Sequence, residues 1–362
     1  MIWGYSQCRS RFGLYRELCR LVPTRIAIWR TDSTTESLRQ CQGHRHDEFS
    51  DVLTMRVGEN LNITRRLLEE TIGWLHIVAA YQVSPTMRRV VEVASSRGDM
   101  VVIASEAPWC RWRGWRRIAW RIYVQTLVRV RVRKVIRSAR CLINLSGELD
   151  GSAKLIGWSA DKIIPWGYYP PPLEDSRCIR RLEGRHVYTI LVTGEMQWYR
   201  GHMVVVEAIR RLKRFGTAGR YRVLLTGGGE MFKKVQQRIE GLPIECLGFV
   251  TIEKLRQLYE ICDIYVAAGE DEPWGMRVND ALNCGAPIVV SDGMGAAKIV
   301  RDTGCGLIFR HADAADLALK IEAIASDYMR FAKRAYEAKE KISPKTKANE
   351  LLSILCSLGG NA

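Results

Sequence analysis

The stretch Gly269-Glu-Asp-Glu-Pro-Trp-Gly-Met-Arg-Val-Asn-Asp-Ala-Leu-Asn-Cys-Gly-Ala-Pro-Ile-Val-Val-Ser-Asp292 carries the most structural information in the chain. It follows the β-branched run Asp263-Ile-Tyr-Val-Ala-Ala268, opens a helix with Pro-Trp-Gly, closes it before Gly285 and enters a second apolar run at Pro287. Strand, helix and strand in this order predict a parallel sheet, whose ligands bind beyond the carboxyl ends of its strands. Two acids lie just there. If the eight residues from Glu272 to Asp280 were helical, at about 1.5 Å each, the two carboxylates would be at most about 12 Å apart. Such a span suits a sugar at one end and a ribose at the other. A helix N-terminus turns free N–H groups outward, so Gly275 and Met276 are candidates to hold a diphosphate between them, with no Cβ on Gly275 to obstruct it. An acidic pair at this spacing also fits a capped surface helix; the whole order strand, Glu-x-x-Gly, helix, Gly-x-Pro, strand sets this one apart.

Outward from that stretch the same grammar repeats. Residues 187–193, 222–226, 244–249, 263–268, 287–291 and 306–309 read as strands, with helical periods near 203–214, 230–239, 252–260, 276–284 and 313–325. In the N-terminal half, 25–29, 75–80, 100–104, 141–145 and 162–165 read as strands of a second doubly wound domain. Tyr168-Tyr-Pro-Pro-Pro-Leu-Glu-Asp175 breaks both periods, because consecutive prolines exclude helix and remove sheet donors. The expected division is a domain over 1–170, a second over 171–340, and a helical tail over 341–362 that packs back on the first; 327–358 reads as helical throughout.

With 362 residues, 47% of them hydrophobic, the chain is long enough for two cores. Its net charge of +16 is uneven: residues 1–175 hold 27 Lys/Arg against 17 Asp/Glu, and 176–362 hold 28 against 22. From Arg111 to Arg140 there are eleven Lys/Arg and no acid, which points to an anionic partner such as phosphate, nucleic acid or lipid headgroups. The eleven cysteines, from Cys8 to Cys356, lack short paired spacings, so reduced thiols in a cytoplasmic protein are expected rather than a zinc site or disulfides. Met1-Ile-Trp-Gly-Tyr-Ser-Gln does not open like a signal peptide, and no apolar run reaches the roughly 18 residues of a spanning helix.

The Glu272 to Asp280 stretch resembles the E-x7-E region of the retaining family-4 glycosyltransferases, whose GT-B fold sets two Rossmann-like domains on either side of a central cleft. The resemblance runs through the C-terminal half, over Gly194, Gly227-Gly-Gly229, Gly248-Phe-Val, the Asp263 strand and Ser291-Asp-Gly-Met-Gly295. It implies that Glu272 contacts the hydroxyls of the donor sugar and Asp280 the nucleotide ribose, with Asp standing where the family usually has Glu. The family also carries Gly-Arg and then Lys-Gly after its first C-domain strand, two cations that grip the diphosphate. Here the residues are Gly194-Glu195 and Arg200-Gly201, so Arg200 replaces Lys and Glu195 removes one cation. Gly194, Gly227, Gly228, Gly293 and Gly295 are then donor-loop candidates, and flexible turns are the other reading of these glycines. An exposed loop arginine is the other reading of Arg200.

Where family members often place a histidine after an N-domain strand, Val101-Val-Ile-Ala-Ser-Glu-Ala-Pro108 offers Glu106. This acid can position an acceptor hydroxyl, take its proton, or cap the next helix. His76 reads as a core or edge histidine, and Gly4 and Tyr5 match a donor-closing glycine loop only weakly. Trp109–Tyr123 holds four tryptophans and five arginines, a basic aromatic helix suited to docking on an anionic inner leaflet or, alternatively, to lying solvated on its own core. Nucleic acid is not an expected partner, since no recognised binding motif accompanies the arginines.

The expected function is retaining transfer of a glycosyl group from a nucleotide sugar to a saccharide or lipid-linked saccharide acceptor in surface-polysaccharide assembly, in the cytoplasm at the inner face of the membrane. No cofactor is expected, and no metal, since no Asp-x-Asp or His cluster is placed for one. A nucleotide-sugar epimerase needs acid and base groups that the sequence does not show. The rival is a degenerate GT-B protein that binds nucleotide sugar or a membrane partner without turnover.

Overall fold

The computed structural model describes residues 1–4, 9–23, 26–30, 52–56, 61–110, 112–172 and 187–359. They form two compact units: Met1–Pro171 together with Pro344–Ala362, and Pro172–Ser343. Each unit is built on a parallel sheet.

In the first unit, β1 (Ile2–Gly4), α1 (Arg9–Leu21), β2 (Ile26–Arg30), β3 (Val52–Arg56), α2 (Leu61–Glu70), β4 (His76–Val78), α3 (Pro85–Ser96) and β5 (Val101–Ser105) follow one another. Then come α4 (Trp115–Tyr123), α5 (Arg129–Ser138), β6 (Leu142–Asn144), α6 (Gly151–Leu155) and β7 (Ile163–Pro165). The strand order is β3-β2-β1-β4-β5-β6-β7. Local signals are clear in α3: Pro85 suits its first turn, the Ser84 side chain accepts from the Met87 N–H at 3.3 Å, and Met87, Val90, Val91 and Ala94 fill the core. A π-helical turn, Val124–Val128, joins α4 to α5.

In the second unit β8 (Tyr188–Val192), α7 (His202–Arg214), β9 (Tyr221–Thr226), α8 (Phe232–Arg238), β10 (Ile244–Gly248), α9 (Ile252–Ile261) and β11 (Ile264–Ala267) are followed by α10 (Arg277–Asn283) and β12 (Ile288–Ser291). After these lie α11 (Ala297–Thr303), β13 (Gly306–Phe309), α12 (Ala314–Ser326) and α13 (Tyr328–Lys341). The order is β10-β9-β8-β11-β12-β13. Every residue of β11 and β12 is buried, as the unbroken apolar runs require of strands covered on both faces. The last element, α14 (Pro344–Gly359), returns to the first unit and packs on α1.

Three local readings are corrected. The tail is not one helix: the chain breaks at Ile342 and Ser343, because the ring of Pro344 cannot continue a helix but can begin one. The basic helix begins at Trp115, so Trp109, Cys110, Trp112 and Arg113 precede it, and Arg111 lies outside the described residues. Strands β1 and β3 and helices α1, α2, α3, α5, α6 and α11 join the elements read from sequence.

Candidate functional site

Strand β11 pairs in parallel with β8, with Tyr265 opposite Leu191, while β9 lies on the other side of β8. Sheet order therefore reverses between β8 and β11, and their carboxyl ends open the crevice that such a reversal creates. A pocket lies there, lined by Thr193, Arg200, Gly269, Glu272, Gly275 and Arg277 among others.

Arg200 reaches this pocket because of the residue that follows it. Gly201 has φ +72°, and a Cβ there would fall 1.9 Å from the Ala268 carbonyl oxygen, so only glycine lets the turn after β8 lie on the end of β11. Across that contact the Glu270 N–H donates to the Tyr199 carbonyl at 2.7 Å. Arg200 Nη1 donates to Glu272 Oε1 in an ion pair, and the guanidinium also stands 5.4 Å from the centre of the Tyr199 ring. Burial opposes the Arg200 charge, but Glu272 and Tyr199 outweigh it and hold the guanidinium protonated above its ordinary range.

Glu272 is 8% exposed. Its N–H donates to the Gly293 carbonyl at 3.0 Å and its carbonyl accepts from the Gly295 N–H at 3.1 Å, so those two glycines fix its backbone. One carboxylate oxygen is taken by Arg200. The other, Oε2, is buried at the pocket without a hydrogen-bond donor among the described residues.

Glu272 is not on the helix. It pairs with Met294 as a short parallel bridge, and Pro273, Trp274 and Gly275 remain irregular before α10 starts at Arg277. The helical rise therefore does not measure its separation from Asp280. The reason is packing: Gly275 has φ +101°, and Met294 Cε would lie 2.4 Å from any Cβ on it. Met276 is the residue before the helix, and its carbonyl accepts from the Asn279 and Asp280 N–H groups. Asp280 is buried in the first turn.

Gly227 and Gly228 join loops instead of lining the pocket. Gly227 N–H donates to the Gly248 carbonyl and Met196 N–H to the Gly228 carbonyl, each at 2.6 Å, while the Phe249 ring covers Gly228. Gly194 turns beneath the Arg277 guanidinium, whose Nη1 would be 3.6 Å from a Cβ there. Arg277 was missed in the sequence, although it lies inside the quoted stretch, because its position reads as an ordinary helix start. Thr193 Oγ1 and the Tyr265 hydroxyl, 2.7 Å apart in the wall of the pocket, were also missed.

In the first unit Glu106 Oε1 accepts from the Tyr168 hydroxyl at 2.8 Å, and Gln82 Nε2 donates to the Glu106 carbonyl at 3.0 Å. It does not cap a helix, since α4 starts behind Gly114. His76 is fully buried, its Nε2 3.5 Å from Asp99 Oδ2. Burial, aided by the terminal ammonium, outweighs that acid and pushes His76 down to about 4. Gly4 ends β1, and Tyr5 lies outside the described residues.

Residues 182–342 match the family model described as glycosyl transferases group 1. An uncharacterized glycosyltransferase, MJ1607, from Methanocaldococcus jannaschii is 24% identical over 143 residues, which are 38% of this chain and 36% of that protein. The chain thus spans about a third of the length of that curated relative. Among solved structures, Anabaena Alr3699/HepE in complex with UDP and glucose superposes with TM-score 0.61 at 16% identity, covering 98% of this chain and 99% of that one. The lipopolysaccharide outer core galactosyltransferase WaaB in its apo form gives TM-score 0.64 at 12% identity, covering 97% and 98%. The second unit accordingly matches the group 1 glycosyltransferase model over most of its length, and the chain as a whole has the GT-B fold of two Rossmann-like units.

Proposed function

We propose that the chain transfers a glycosyl group, with retention, from a nucleoside diphosphate sugar to a saccharide or lipid-linked saccharide acceptor in surface-polysaccharide assembly. The observation that carries this reading is Glu272 Oε2, a buried carboxylate oxygen at the switch-point pocket with no donor among the described residues. A buried acceptor of this kind calls for a hydroxyl, and a sugar supplies several. Arg200 holds Glu272 in place and adds positive charge where the departing diphosphate develops negative charge. Asp280 is assigned to the ribose, and Glu106, steadied by Tyr168, to an acceptor hydroxyl. We infer that the transfer needs no metal.

Docking on an anionic membrane belongs to the same proposal. Trp115, Ile118 and Ile122 are 72%, 64% and 57% exposed. At about 100° per residue they fall within about 60° of arc, on the side of α4 opposite Trp120, which packs on the core. Exposed Arg121 flanks this ridge, and exposed Arg116 and Arg117 lie further round the helix on either side of it. An apolar ridge with basic shoulders matches the interface of an anionic bilayer. No described helix is long and apolar enough to cross one.

Calorimetry with UDP, GDP, ADP and dTDP tests the donor site, followed by donor turnover with and without EDTA. One nucleotide binds, and Glu272→Ala lowers turnover at least about 100-fold with nucleotide binding retained. Binding without transfer or donor hydrolysis would favour the degenerate reading, and a loss of turnover in EDTA would overturn metal independence.

A further inference from the structure

The pocket after β8 and β11 contains two guanidinium groups and one carboxylate: Arg200, Arg277 and Glu272. Arg200 is paired with Glu272. Arg277, half-buried at the start of α10, has no hydrogen bond or ion pair among the described residues. The pocket's uncompensated positive charge therefore sits on Arg277.

Its location is specific. The guanidinium lies over Gly194, with Nη1 3.6 Å and Cζ 3.9 Å from the place of a Cβ there. The next residue, Glu195, points to solvent, where its Oε1 accepts from Gln197 Nε2 at 2.9 Å. The turn after β8 thus has an acid facing away from the pocket and an arginine from another element folded over it. The Arg277 field reaches the pocket floor: after burial, it and Arg200 lower the buried His202, and it acts on the Tyr265 phenol.

We propose that Arg277 binds the diphosphate of the donor, supplying from α10 the cation that Glu195 removes from the turn after β8. The inference rests on the donor-site reading above and adds the residue that reads the phosphates. A guanidinium without a partner can meet phosphate oxygens through two parallel N–H bonds, whereas Arg200 must share its donors with Glu272. Lying over Gly194, Arg277 approaches from across the crevice, so the diphosphate lies between two elements instead of along one loop.

The test is calorimetry on the full chain with the four nucleoside diphosphates and their nucleosides, comparing wild type, Arg277→Ala, Arg277→Lys and the double variant Arg277→Ala/Glu195→Arg. Arg277→Ala weakens the bound diphosphate about 10- to 100-fold and leaves its nucleoside unchanged. Lys restores part of that loss, and Glu195→Arg in the Ala background restores most of it by returning a cation to the turn. Diphosphate affinity within twofold of wild type in Arg277→Ala overturns the inference while the donor site stands, provided Arg200→Ala weakens the same nucleotide. An equal loss for nucleoside and diphosphate also overturns it, because Arg277 would then only shape the pocket. If Arg277→Ala does not fold, Arg277→Lys decides: a selective loss of diphosphate affinity supports the role, and wild-type affinity for both ligands overturns it. Failure of all four nucleotides to bind wild type brings down the donor-site reading and the inference with it.

Discussion

His202 opens α7 two residues after Arg200, 2% exposed, with neither ring nitrogen hydrogen-bonded among the described residues. Burial first, then the fields of Arg200 and Arg277, push it down to about 4 from 6.5. Its folded pKa lies below its unfolded one, so the unfolded chain takes up the proton first as pH falls. Stability is whole above about 6.5 and drains toward pH 4. Between pH 7 and pH 5 the loss from this residue is about 2 kcal/mol. His202→Leu should remove that slope, and urea unfolding of the second unit at the two pH values measures it; an unchanged slope would place the acid sensitivity elsewhere. The same cations thus serve two purposes, keeping the imidazole neutral and making the crevice positive.

Helix α4 poses the opposite problem, since none of its residues is buried. A helix that turns Trp115, Ile118 and Ile122 to water gains nothing for folding from that side. Replacing all three with Ser should therefore change thermal stability little, yet lower sedimentation with vesicles rich in anionic lipid at least about tenfold; unchanged sedimentation would remove the membrane from the proposal. At this scale the sequence was readable wherever a signal was local. The β11 and β12 runs, α7 and α12 lie within two residues of where their periods put them. Less was readable where distant packing decides. Glu272 lies off the helix because Met294 pairs with it, and its partner Arg200 is 72 residues away. Strand β3 is a five-residue run that no local alternation announced, and the Pro344 break was legible but overlooked within a long helical period.

For the molecule as a whole, the fold class followed from alternation of strands and helices, and the tail over 341–362 was expected to pack back on the first domain, where α14 lies. Lys347 on α14 is 8% exposed, its ammonium 5.4 Å from the Trp166 ring centre and 4.7 Å from that of Tyr169. Leu351 and Leu355 are buried on the same helix. Leu351→Ala should cost the first unit about 2 to 4 kcal/mol and leave nucleotide affinity of the second unchanged, as separate unfolding and binding curves would register. Equal destabilisation of both units would contradict that division. A consequence reaches back to synthesis. Domains ordinarily fold in the order in which they leave the ribosome. Here the second unit is one unbroken stretch, whereas the first awaits a helix translated after all of it. The half of the protein made first is the half completed last, and during that interval the surface of α1 that α14 covers stands open to chaperones and to neighbouring nascent chains.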